Sequence, residues 1–148
     1  MGASIYTHAI IGLKVSWDQV CTGTKKVKAF KHNHPEDWEH DPKTGQKLWY
    51  EQDTFIDGWE GEEYGSEKLG GYGVVSEPPS YEGSPEYVFI CLAFTDGGDP
   101  LEGDPPQRAK LPTAREEATF KQKMADLGLL DEDNLDDYGL WAWGYATA

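Results

Sequence analysis

Strand-like patterns of apolar and polar residues recur along this chain, alternating with a period of two at 26–29 and 140–146, and a period near 3.6 marks one stretch. Residues 4–15 are rich in β-branched side chains and predict a first strand, with Gly12 marking a bulge. After a turn-like region at 18–23, Lys26 and Lys28 alternate with Val27 and Ala29, which predicts a second strand over 24–31 with one wet face. Strand character returns over 47–56, 72–76 and 86–95. The run from Tyr87 to Phe94 is apolar at nearly every position, as in a central strand covered on both sides. Helical spacing begins at Thr113. Thr113-Ala114-Arg115-Glu116 has the form of a capping box, and Phe120, Met124 and Leu127 fall on one face before Gly128 ends the helix. An acidic stretch at 130–137 includes a helical turn, and 140–146 predicts a last strand with Trp141 and Trp143 on one face.

Between these elements lie segments that punctuate the pattern. Residues 32–46 are polar, hold Pro35 and Pro42, and form a knuckle-like hairpin excursion between two strands. Residues 57–71 are too glycine-rich for a helix and too charged for a core, and residues 96–112 contain four prolines; both are expected to be surface loops. The whole predicts a single α+β domain over 1–148, a mostly antiparallel sheet of about five to six strands with one helix packed across it.

Composition narrows the function classes. The 148 residues carry 27 Asp plus Glu against 13 Lys plus Arg, a net charge of −14. The charge is unevenly distributed. Residues 1–50 hold seven Lys against five acidic residues, a net of +2, whereas residues 51–148 hold six basic against 22 acidic residues, a net of −16. Such a surface repels phosphate backbones, so direct nucleic-acid binding is not expected. It attracts basic partners and can imitate a phosphate backbone, or it serves solubility alone. No apolar run approaches the roughly 20 residues that span a bilayer, and no secretory signal is read at the N-terminus; the expected location is the cytoplasm, without membrane contact. Two cysteines, Cys21 and Cys91, are too few for a disulfide framework.

The segment with metal chemistry is the knuckle. His32, His34 and His40 fall within nine residues beside Asp41, a nitrogen and oxygen set suited to zinc and its neighbours. No Cys-x-x-Cys accompanies them, and surface histidines in a polar loop are the simpler reading. The order Ile10-Ile11-Gly12-Leu13-Lys14-Val15, Lys25-Lys26-Val27, the His-Pro knuckle, Lys47-Leu48-Trp49, Gly71-Tyr72-Gly73-Val74-Val75, Tyr87-Val88-Phe89-Ile90, Leu127-Gly128-Leu129 and Tyr138-Gly139-Leu140-Trp141 resembles small uncharacterised bacteriophage-encoded proteins. The resemblance spans most of the chain through short motifs. In such proteins the knuckle looks like a zinc ribbon, with a Cys-x-His or Cys-x-Cys pair and then a Cys-Pro-x-Cys-Gly turn. Here His32 and His34 match the first pair, and Asp41-Pro42-Lys43-Thr44-Gly45 stands in place of the second. Thr44 is a poor zinc ligand, which leaves either an altered site using His40 or Asp41, or a knuckle that folds without metal. The second is favoured, so no cofactor is expected, with zinc the metal of the alternative.

Enzymatic readings find little support. The pairs Glu62-Glu63, Glu116-Glu117 and Asp136-Asp137 are sequence neighbours, which on a strand point to opposite faces, and no nucleophile elbow is present. Aromatic residues amid carboxylates fit a protein-binding hot spot better, so Trp59, Glu60, Glu62, Glu63, Tyr64 and Tyr81 are the expected partner-binding residues. With the phage resemblance, this implies a non-catalytic accessory protein in the host cytoplasm. It would bind and inhibit a basic, nucleic-acid-handling host protein of the restriction or CRISPR type by nucleic-acid mimicry. The alternatives are a metal-binding module built on the knuckle and a small hydrolase.

Overall fold

In the computed structural model, residues 4–28, 49–61, 67–77 and 85–147 are described. Their elements run, in chain order, β1 (Ser4–Ser16), a single helical turn α1 (Trp17–Val20), β2 (Cys21–Lys28), β3 (Trp49–Phe55), β4 (Trp59–Glu60), β5 (Lys68–Leu69), β6 (Tyr72–Glu77), β7 (Tyr87–Gly98), helix α2 (Ala114–Asp126) and β8 (Tyr138–Thr147). The fold is α+β and mostly sheet.

Six strands form one sheet in the order β4-β5-β6-β7-β1-β8, with every neighbouring pair antiparallel. Because β7 and β8 both run antiparallel to β1, they are parallel to each other with β1 between them, and α2 lies on the connection that joins them. The long apolar run of β7 thus occupies an interior position, with Val88 to Cys91 all buried. Alternation sends its side chains to both faces. On one face Phe89 and Cys91 cluster with Ile10, and Val75, Tyr87, Phe94 and Trp141 pack around them. Helix α2 lies against β7. Its Phe120 meets Tyr72 edge-on with ring centroids 4.8 Å apart and lies 5.8 Å from Tyr138. Phe120, Met124, Ile10, Leu13 and Ile90 are fully buried. Each side chain of this size contributes roughly 1.5–3 kcal/mol on leaving water.

The helix begins as the local sequence dictates. The Thr113 hydroxyl accepts from the Glu116 backbone N–H at 3.1 Å, and the Glu116 carboxylate accepts from the Thr113 N–H at 3.0 Å. These hydrogen bonds hold the Glu116 carboxyl below its usual value. At the other end Gly128 takes the left-handed conformation at φ +77°, which a side chain disfavours, and the chain leaves the helix there. The Tyr138 hydroxyl donates to Glu117 at 3.1 Å, joining α2 to β8. Burial, and then the Glu117 carboxylate, push that phenol up to about 12.

Three features differ from the sequence expectation. The irregularity expected at Gly12 is present, but the extra residue is Leu92 on the opposite strand: Ile11 pairs with Ala93 and Gly12 with Cys91. A side chain at 12 would collide with the Ile90 carbonyl oxygen, so the bare glycine is what allows β7 to approach. The expected loop 57–71 contains two short strands, and Leu69 within it is fully buried. The surrounding glycines and charges mask this in the sequence, because a two-residue strand carries no periodicity of its own. The expected loop 96–112 begins inside β7. It then makes a 3-10 turn at Pro100–Glu102, where the Asp99 side chain accepts from the Leu101 N–H at 2.9 Å and Asp104 accepts from the Asp99 N–H at 2.7 Å. The chain forms two compact units: residues 1–19 with 57–148, and residues 20–56, in which β2 and β3 make their own two-stranded ladder. No helix among the described residues is long and apolar enough to cross a membrane.

Candidate functional site

The expected partner-binding residues begin at β4. Trp59 pairs with Leu69 and Glu60 with Lys68, so both are set on the outer rim of the six-stranded sheet by a two-residue strand. Glu60 is exposed. Trp59 is half-buried and its indole nitrogen is shielded from solvent, so this ring belongs to the packed rim and is not a free-standing loop aromatic. Glu62, Glu63, Tyr64 and Tyr81 lie outside the described residues. Further exposed carboxylates of the same unit are Asp57, Glu86, Asp96, Glu102 and Asp104, together with Asp131, Glu132, Asp133 and Asp136 in the segment leading into β8. Part of that last group is held by local geometry. The Asp131 carboxylate accepts from the Asp133 N–H at 2.8 Å, and the Asn134 side chain accepts from the Asp131 N–H at 2.7 Å and donates to the Leu129 carbonyl at 2.7 Å.

The proposed metal ligands His32, His34, His40 and Asp41 all lie outside the described residues. Among the described residues no group of three or more His, Cys, Asp or Glu side chains is placed to hold a metal ion. The remaining histidine, His8, sits on β1 with its ring 5.2 Å from Phe94 and its Nδ1 3.9 Å from an Asp96 carboxylate oxygen. Burial lowers its pKa below the usual 6.5, partly offset by Asp96. Both cysteines are free thiols. Burial pushes Cys91 up to about 12, so it is protonated at neutral pH and a poor nucleophile.

One feature escaped sequence reasoning. His8, Ile10, Gly12 and Lys14 are spaced by two on β1 and so line the sheet face that carries Phe89 and Trp141. Lys14 places its ammonium 4.3 Å from the Tyr87 ring centre and 5.5 Å from that of Trp141, over rings that lie 5.5–5.6 Å from Phe89. The signal was the period-two spacing of a cation and an imidazole within an apolar strand, but their ring partners come from strands far away in sequence. Comparison with known proteins found no matching family model, no similar curated protein and no similar solved structure.

Proposed function

We propose that this chain is a non-catalytic acidic protein of bacteriophage type that binds a basic, nucleic-acid-handling host protein in the cytoplasm and inhibits it by occupying its nucleic-acid groove. The observation that carries this reading is the net charge of −16 over residues 51–148. Clustered carboxylates steer association toward a cationic cleft and discriminate against nucleic acid itself. The exposed Glu60 on the sheet rim, with Asp57 beside it, and the exposed acids between α2 and β8 supply charge of this kind. The rim also offers an aromatic neighbour in Trp59, the residue type enriched where partners anchor.

The test is affinity capture of a basic partner from host lysate, followed by kinetics with the purified pair. Association is expected to slow steeply between about 50 and about 300 mM salt, as the Debye length shortens. The triple change Glu60→Gln, Glu62→Gln, Glu63→Gln should slow association more than it speeds dissociation, and duplex DNA should compete for the partner. Indifference to both salt and the Gln changes would overturn the proposal. So would retention of DNA by this protein in a gel shift at physiological salt, since Lys25, Lys26, Lys28 and Lys31 would then form a working basic face.

A further inference from the structure

The two edges of the six-stranded sheet are built differently. One ends in β4, two residues long and carrying an exposed carboxylate, Glu60. Short length and charge are the usual means of keeping a sheet edge from pairing with another chain. The other edge is β8, ten residues reading Tyr-Gly-Leu-Trp-Ala-Trp-Gly-Tyr-Ala-Thr, with no charge and no proline. Its pairing with β1 is unbroken from Ser4 opposite Thr147 to Leu13 opposite Tyr138, so no bulge turns the edge away. Leu140 is 67% exposed, and Ala142 and Gly144 are exposed as well. Among the described residues no strand pairs with the outer side of β8. Half of its backbone N–H and C=O groups therefore face outward as a ready template.

We infer that β8 pairs with β8 of a second copy of this chain, antiparallel about a two-fold axis, to make a continuous twelve-stranded sheet across the dimer. Charge selects the occupant's direction, and the self-complementarity of an uncharged edge its identity. The acidic segment with Asp131, Glu132, Asp133, Asp136 and Asp137 leads directly into β8. A parallel partner would set two such segments side by side. An antiparallel copy sets them at opposite ends of a strand of roughly 30 Å, beyond the Debye length of about 8 Å at physiological salt. The uncharged strand then meets an equally uncharged strand, and an isologous edge is complementary to itself by construction.

Side-chain parity limits the register. With the axis perpendicular to the sheet, residues facing each other must lie on the same face, so the axis passes through a residue and not between two. With Ala142 on the axis, the exposed Leu140 lies opposite Gly144 of the second copy, where there is room for it. Nine residues a side is fewer than the 20–30 of a standard interface, so the dimer is concentration-dependent.

Sedimentation velocity and light scattering on the full chain test this directly. At about 100 µM the expected mass is about 33 kDa, twice the 16.6 kDa of one chain, falling toward the monomer value on dilution. Leu140→Lys with Ala142→Lys should give a folded monomer at that concentration, whereas Leu111→Lys, at a position 80% exposed elsewhere, should leave the dimer intact. Hydrogen exchange gives a readout independent of any variant: amides of β8 should gain protection as concentration rises, and those of β4 should not. A monomer at about 100 µM would overturn the inference. A dimer that survives both lysines with β8 exchange unchanged would overturn it too, by placing the interface elsewhere. The Glu60, Glu62 and Glu63 changes leave this dimer unaltered, so its failure and that of the proposed function are separable.

Discussion

Gly12 shows how much one missing methyl group can decide. Its Cα lies so close to β7 that a Cβ would overlap the Ile90 carbonyl oxygen, while Gly139, its partner on β8, has open space around it. Gly12→Ala is expected to cost about 1–3 kcal/mol in urea unfolding, as overpacking does, and Gly139→Ala should be close to neutral. His8 makes a second single-residue prediction. Burial lowers its folded pKa below the unfolded value of about 6.5, so the unfolded chain takes up the proton first as pH falls. Its contribution to stability is complete above about pH 6.5 and is lost as pH drops through the lower folded pKa. The melting temperature should decline over that window, and His8→Gln should flatten this part of the curve. Glu116 acts at lower pH: protonation below its usual 4.5 removes the reciprocal cap of α2, so Thr113→Ala should make the remaining acid sensitivity of the helix smaller.

At the scale of elements, local rules and distant packing can be separated. Helix α2 was legible because its cap, its apolar face and its terminating glycine are all encoded within 16 residues, 113–128, and Phe120 and Met124 are indeed its buried positions. Thr113→Ala should cost about 0.5–2 kcal/mol. The central place of β7 was legible from its doubly apolar run, and Ile90→Ala and Phe120→Ala should each cost about 2–5 kcal/mol by chemical denaturation, because both side chains are fully buried. Losses below about 1 kcal/mol at both would contradict the packing described above. Strands β4 and β5 were not legible. Two residues carry no periodicity, and the full burial of Leu69 is not announced by its glycine- and charge-rich neighbours.

The whole molecule combines an apolar sheet and helix with a net charge of −14. The core of residues 1–19 and 57–148 rests on aromatic and aliphatic packing. Treatment with EDTA is therefore expected to leave the melting temperature unchanged, and His32→Ala with His34→Ala to be nearly silent. A large fall on chelation, with about one zinc per chain by elemental analysis, would instead assign the knuckle a structural metal. Two compact units make up the chain, residues 1–19 with 57–148 and residues 20–56. Strand-like sequence over 47–56 announces a strand, but not which strand it pairs with, and here β3 pairs with β2 outside the six-stranded sheet.

The amino-acid sequence by itself determined what depends on neighbours in the chain: the capped helix, the alternating strands, the buried run of β7 and the acidic bias of the C-terminal two-thirds. Periodicity and capping act over a few residues, so their physical cause is already present in the order of side chains. The tertiary structure alone decided the strand order, with β1 inserted between β7 and β8, the approach of β7 to Gly12, the placement of Lys14 over rings from two other strands, and an outer edge of β8 that no described strand pairs with. Each of these is a meeting of segments far apart along the chain. Which of them meet is set by the joint burial of both sheet faces, a property no single segment possesses.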